Sequence, residues 1–215
     1  ITTNTMGWFD GFDSYIVHSN LDIAAWDDYI RQDQYDYPLN GATDDLVRGF
    51  KQENFWVMET EPGFVNWRPT NTPLDRGQVR GIAWQAIGHG ADAVEYWQWR
   101  SALNGQEQYH GTLVGPDCEP VSAYREIQQV GAEFEEAGAA LAGTTPHSQA
   151  AILENYDSRW AIDFQRHSAD FDTVTELVSF YRPLRKMTQA VDIISADAPL
   201  DQYKLVEAPA LNLLS

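Results

Sequence analysis

The chain has 215 residues, of which 43% are hydrophobic and 21% charged, a balance that fits one large or two small soluble globular domains and excludes disordered and collagen-like classes. A formal net charge of −18 repels a phosphate backbone and argues against a nucleic-acid partner. Cys118 is the single cysteine and the five histidines are scattered, so the pattern offers no internal disulfide and no metal-ligand spacing, and no apolar run is long enough to cross a membrane.

In chain order, short apolar runs predict strands over residues 1–4, 22–26, 55–59 and 93–99. Between them, polar and apolar spacing predicts helices over 44–52 and 77–89. Val79, Ile82, Ala83, Ala86 and Ile87 share one face of the second of these. A longer helix is expected over 119–142. Strands separated by helices imply parallel βα units. Each strand ends in a polar cluster, which is where a (β/α) barrel builds its active site. Four such units make half of an eightfold barrel, so the expected fold is α/β, a partial (β/α)8 barrel over residues 1–145. From Gly143 the turn signal Gly-Thr-Thr-Pro opens a second segment, 146–215, with strands expected at 149–154, 190–195 and 203–214 and a helix at 172–187. It is again βαβ in character, and its residues read as an assembly or scaffold domain without a catalytic set.

Aromatic residues make up 13% of the chain. Most large aromatics pack cores, while a smaller number form sugar sites, where flat rings meet pyranose C–H groups and carboxylates grip hydroxyls. In Phe-Trp-Val-Met-Glu-Thr-Glu-Pro, Glu59 follows four apolar residues and stands where a buried strand should finish. It is either a nucleophile delivered to the barrel mouth or a solvated glutamate opening a loop. Pro62 holds Glu61 extended, which turns it into the loop and away from a paired catalytic role. Further on, Glu107 and His110 flank a tyrosine in a polar loop, a spacing that suits two groups converging on neighbouring hydroxyls and equally suits plain surface polarity.

The string Met-Glu-Thr-Glu-Pro-Gly-Phe-Val-Asn-Trp-Arg-Pro, followed by GQVRGIAWQAIGHGADAV, YWQWR and EQYHG, resembles the second half of the catalytic barrel of glycoside hydrolase family 42 β-galactosidases. FYRPLR, VDII and YKLVEAPALNLL resemble the α/β trimerisation domain that follows it. The resemblance implies that Glu59 is the nucleophile of a retaining galactosidase and Trp67 the platform under the galactosyl ring. Glu107 and His110 would hold hydroxyls, and Tyr29 would approach the nucleophile from the preceding strand. It implies a β-galactoside substrate, no cofactor, a homotrimer and a cytoplasmic location.

In that family the acid/base glutamate follows an asparagine at the end of the fourth strand. These 215 residues hold no Asn-Glu dipeptide, and the resemblance places Ile1 at the fifth strand. The general acid is therefore expected to be absent, and the 215 residues alone to be inactive and poorly soluble or oligomeric. Rival readings are a carbohydrate-binding or structural module without catalysis, and a retaining barrel glycosidase of other sugar specificity. Aspartate outnumbers glutamate 19 to 13 and lysine occurs three times. This composition reads as adaptation to high salt or as an ordinary acidic surface.

Overall fold

The computed structural model describes residues 1–30, 35–70 and 72–213. After a short helix, α1 (Ser14–Ser19), three strands pair in parallel in chain order: β1 (Ala24–Asp28), β2 (Phe55–Thr60) and β3 (Ala91–Tyr96). Helix α2 (Tyr37–Lys51) returns the chain from β1 to β2, and α3 (Gln78–Gly88) from β2 to β3. Ala24, Trp26, Phe55 and Val57 point into one apolar core with Leu46 and Phe50 of α2. A register shift between Trp26 and Asp27 interrupts the first ladder and sets Asp27 beside Glu59. Helix α4 (Tyr124–Leu141) packs on α3. Its Glu126 carboxylate accepts hydrogen bonds from the backbone N–H groups of Gly77 and Arg80, meeting donors that the first turn of α3 leaves open.

The second sheet is also parallel, in the order β5-β4-β6, from β4 (Ala150–Glu154), β5 (Asp192–Ser195) and β6 (Leu205–Glu207). Helices α5 (Tyr156–Phe164) and α6 (Thr173–Met187) lie between β4 and β5 in the chain. Helix α2 lies between the two sheets and is buried from Asn40 through Phe50. Leu46 and Phe50 share one cluster with Ile152, Tyr181 and Ile193. A Cβ on Gly49 would come within 1.7 Å of the Ile193 carbonyl oxygen, so only glycine lets α2 approach β5 this closely. Nearby, the buried Arg48 guanidinium binds Asp45, the His89 and Val191 carbonyls, and the Asp192 carboxylate.

Several expectations shift. The described residues of the first sheet form three strands, not four. Residues 1–4 run beside β1 without becoming a strand, because the Thr2 and Thr5 hydroxyls take the Ile23 and Ala25 carbonyls and replace part of the backbone ladder. Helix α2 begins at Tyr37, seven residues before the expected start at 44. Asp36 caps it and Pro38 sits in its first turn, where the missing N–H costs nothing. Helix α4 starts at Tyr124, since Pro120 is held in an antiparallel bridge to Val114. Helix α5 was not expected; Asn155 caps it through a bond from the Ser158 N–H. The last strand shrinks to Leu205–Glu207 ahead of Pro209, and Leu214, the end of the expected strand, lies outside the described residues. Glu61 does not swing into the loop but is fully buried. No helix among the described residues is long and apolar enough to cross a membrane.

Candidate active site at the strand ends

Parallel strands deliver their C-terminal residues to one rim, and here those residues are Asp27 and Asp28 of β1, Glu59 and Thr60 of β2 and Tyr96 of β3. The Glu59 carboxylate is held at both oxygens. The Tyr29 hydroxyl donates to Oε2 at 2.8 Å, and the Asn4 amide donates to Oε1 at 3.3 Å. The same amide donates to Asp27 Oδ2 at 2.9 Å, so one donor bridges two neighbouring carboxyl groups. Burial, with the Glu59 charge adding to it, pushes the Asp27 carboxyl up to about 7. Tyr29 is pushed well above the ordinary tyrosine range by burial and by its bond to Glu59, so its proton stays in place as a donor.

The loop after β2 carries Asn66, Trp67 and Arg68. Trp67 is 57% exposed and meets Tyr29 edge to face at 5.7 Å. Arg68 lies 5.2 Å from the Trp67 ring centre and donates to the Ile30 carbonyl. His110 also meets Tyr29 edge to face, at 5.9 Å. Its Nδ1 lies 3.2 Å from Asn66 Oδ1, and the Asn66 amide donates to the Gln106 carbonyl. Gly111 locks this second loop onto the first. Its N–H donates to the Phe64 carbonyl at 2.7 Å, and a Cβ would stand 2.8 Å from that same oxygen. Burial holds His110 below the ordinary imidazole range against the opposing pull of Glu107. A neutral ring presents one donor and one acceptor, which suits a sugar hydroxyl.

Of the sequence-predicted residues, Glu59, Tyr29, Trp67 and His110 fall into this one constellation. Glu107 stands at its rim in a single 3-10 turn, 3.9 Å from His110 and within reach of the Trp97 indole N–H at 3.4 Å. Asn4, Asp27 and Asn66 were not assigned from sequence. Asn4 closes the first predicted strand and Asp27 directly follows the second, but their link depends on a ladder shift that no local pattern announces. A cavity of about 370 Å³ opens beside the group, lined among others by Trp8, Trp26, Asp27, Tyr29 and Trp67. No group of three or more His, Cys, Asp or Glu among the described residues could hold a metal ion.

A family model described as beta-galactosidase, glycoside hydrolase family 42, matches residues 1–137, and the model of the beta-galactosidase trimerisation domain matches residues 148–215. The chain is 38% identical to the beta-galactosidase Bga of Halorubrum lacusprofundi, with all of this chain and 32% of that protein aligned. It is 35% identical to the beta-galactosidase BgaA of a Thermus species, with all of this chain and 35% of that protein aligned. Among solved structures, the cold-adapted beta-galactosidase of Rahnella sp. R3 superposes with a TM-score of 0.91 at 33% identity, over 96% of this chain and 32% of that one. The Halorubrum lacusprofundi enzyme does so with a TM-score of 0.91 at 37% identity, over 99% of this chain and 34% of that one. The chain thus spans about a third of the length of the curated relatives it matches. With both models matched in order and the strand-end fold shared at that level, the chain belongs to the β-galactosidases of glycoside hydrolase family 42.

Proposed function

We propose that these residues supply the nucleophile side of a retaining β-galactosidase. The observation that carries this reading is Glu59, a strand-end carboxylate held at both oxygens by neutral donors, Tyr29 and Asn4, with an aromatic face at Trp67 close by. A carboxylate oriented in this way attacks the anomeric carbon while the bond to the aglycone oxygen breaks through an oxocarbenium-like transition state. The leaving oxygen takes a proton from a second carboxylic acid. Water then attacks the glycosyl-enzyme, gives its proton to that second carboxylate, and releases galactose with retained configuration.

Trp67 serves as the platform for the sugar ring, and Glu107 and His110 bind hydroxyls. Asp27, its carboxyl pushed up to about 7 by burial and the Glu59 charge, shares the Asn4 amide with Glu59. Residues 1–215 hold no Asn-Glu dipeptide, and the general acid is assigned to none of them. Residues 1–145 form the barrel portion and 146–215 the trimerisation portion of a homotrimer.

The test uses a family-length enzyme, in which these residues stand within a chain as long as the relatives. A panel of nitrophenyl β-glycosides should be hydrolysed with β-galactoside preferred, and a fluorinated galactoside that traps the intermediate should label Glu59. Labelling at another carboxylate overturns the nucleophile assignment. Preference for a glucoside or arabinoside replaces galactose as the substrate, and binding without turnover returns the chain to a carbohydrate-binding role.

A further inference from the structure

One helix of the second unit grips one loop of the first. The segment between residue 5 and α1 contributes Met6, Gly7 and Trp8 to the wall of the cavity that also holds Asp27, Tyr29 and Trp67. Three hydrogen bonds from little more than one turn of α5 reach this segment and the first residue of α1. Arg159 Nη2 donates to the Trp8 carbonyl at 2.6 Å, the Trp160 indole N–H donates to the Asp10 carbonyl at 2.7 Å, and the Tyr156 hydroxyl donates to Ser14 Oγ at 2.9 Å.

Arg159 is 7% exposed, and its guanidinium lies 5.8 Å from the Tyr156 ring centre. A buried guanidinium is costly to desolvate unless its donors are used, and this one spends Nη2 on the loop backbone while Nη1 makes no hydrogen bond. On the far side of the loop, the Trp8 indole donates to Thr43 Oγ1 of α2 at 2.7 Å. Gly7 lies so close to Thr43 that a Cβ would fall 2.0 Å from its methyl group. The loop is therefore pressed against α2 from one side and held by α5 from the other. Thr5 is tied independently to β1 through the Asp27 N–H and the Ala25 carbonyl. The grip consequently acts on the cavity wall at Trp8 and leaves the Asn4 bridge to Glu59 in place.

We propose that Arg159, assisted by Trp160, is a positioning residue for the sugar site, holding the Trp8 wall so that the cavity beside Tyr29 has its working shape only when the trimerisation unit is docked. This rests on the galactosidase reading above. Its chemistry is selective: the group held is the wall of the binding cavity and not the nucleophile, so the effect falls on substrate binding more than on the rate of the bound complex.

The experiment measures kcat and KM for nitrophenyl β-galactoside in the family-length enzyme and backbone hydrogen exchange over residues 6–13. Arg159→Met and Trp160→Phe each remove a donor while keeping much of the side-chain volume. Expected are a fall in kcat/KM of about tenfold for Arg159→Met, carried mainly by KM, and faster exchange confined to the loop. Arg159→Lys, which can still donate to the Trp8 carbonyl, should recover part of both. Ile194→Ala, a core truncation in the separate apolar cluster of the second sheet, which holds no residue of the loop, serves as the control for general destabilisation and should leave KM unchanged. Wild-type kinetics with unchanged loop exchange in Arg159→Met overturn the proposal, as does a matching KM rise in Ile194→Ala. A wild-type enzyme that hydrolyses no galactoside overturns the galactosidase reading instead, and the exchange measurement then decides the grip by itself.

Discussion

The Tyr29 hydroxyl donates to Glu59 Oε2 at 2.8 Å from the position just past β1, the strand that neighbours β2 in the sheet. A phenol fixed in this way orients the carboxylate and stabilises its negative charge before attack. Tyr29→Phe should lower kcat by about 10- to 100-fold, the worth of a hydrogen bond to a charged group. The ring and its edge contacts to Trp67 and His110 remain, so KM should change little. Steady-state kinetics on nitrophenyl β-galactoside check this, and an unchanged kcat removes Tyr29 from the catalytic set.

Glu59→Gln keeps the shape and the Asn4 contact but cannot attack. Turnover should fall by at least about a thousandfold while folding and galactose binding persist. Retention of more than about a tenth of the activity would assign the nucleophile elsewhere.

Trp67→Ala removes the exposed ring that faces the site and should weaken sugar binding by about 1–3 kcal/mol. Glu107→Gln should weaken it through loss of charge-assisted hydrogen bonds. Galactose titration by calorimetry reads both. Equal affinity in both variants would return these residues to ordinary surface roles.

Glu154, at the end of β4, is buried, and that burial pushes its carboxyl up to about 8. A glutamate in the unfolded chain titrates near about 4.3. Between these values the folded chain keeps a proton that the unfolded chain releases. This contribution to stability is therefore full below the lower value and is lost as pH rises through the upper one. Glu154→Gln cannot lose that proton. Its thermal midpoint should fall less than that of the wild type between about pH 5 and about pH 9, and it should be the more stable of the two at the alkaline end. Parallel melting curves would contradict this.

Thirty-two acidic side chains face fourteen lysines and arginines, so self-repulsion weakens as salt screens it. The thermal midpoint of the family-length enzyme should rise as salt approaches the molar range. A steady fall of the midpoint with added salt would leave the acidity as an ordinary surface property.

Where the pattern was local, the sequence was readable. The one-sided apolar face of α3, the apolar run of β2 and the switch to βαβ after Gly143 all depend on periodicity or turn chemistry within a few residues. Strand-end position also marked Glu59. The early start of α2 was hidden because Pro38 and Gly41 look like loop residues, whereas Pro38 fits the first turn and Gly41 lies hard against the His89 ring. Burial of Glu61 and the Asn4 bridge arise from contacts between distant segments. No spacing rule reports those. The roles of Trp67, Glu107 and His110 came from family resemblance, and the residues alone justified only polar convergence.

The seating of α2 bears on how such a protein can be divided or recombined. The helix precedes β2 in the chain, yet the Gly49 approach to the Ile193 carbonyl and the Leu46 and Phe50 contacts make it equally a floor for the second sheet. A cut near residue 145 would pass between the two matched family models and still split one continuous interior, exposing Ile152, Tyr181 and Ile193 on one piece and Leu46 and Phe50 on the other. Exchange of the trimerisation unit between homologues should therefore succeed only when the donor brings a strand that accepts a helix at glycine distance. The unit that exchanges intact is the pair, because α2 belongs to the interior of both sheets.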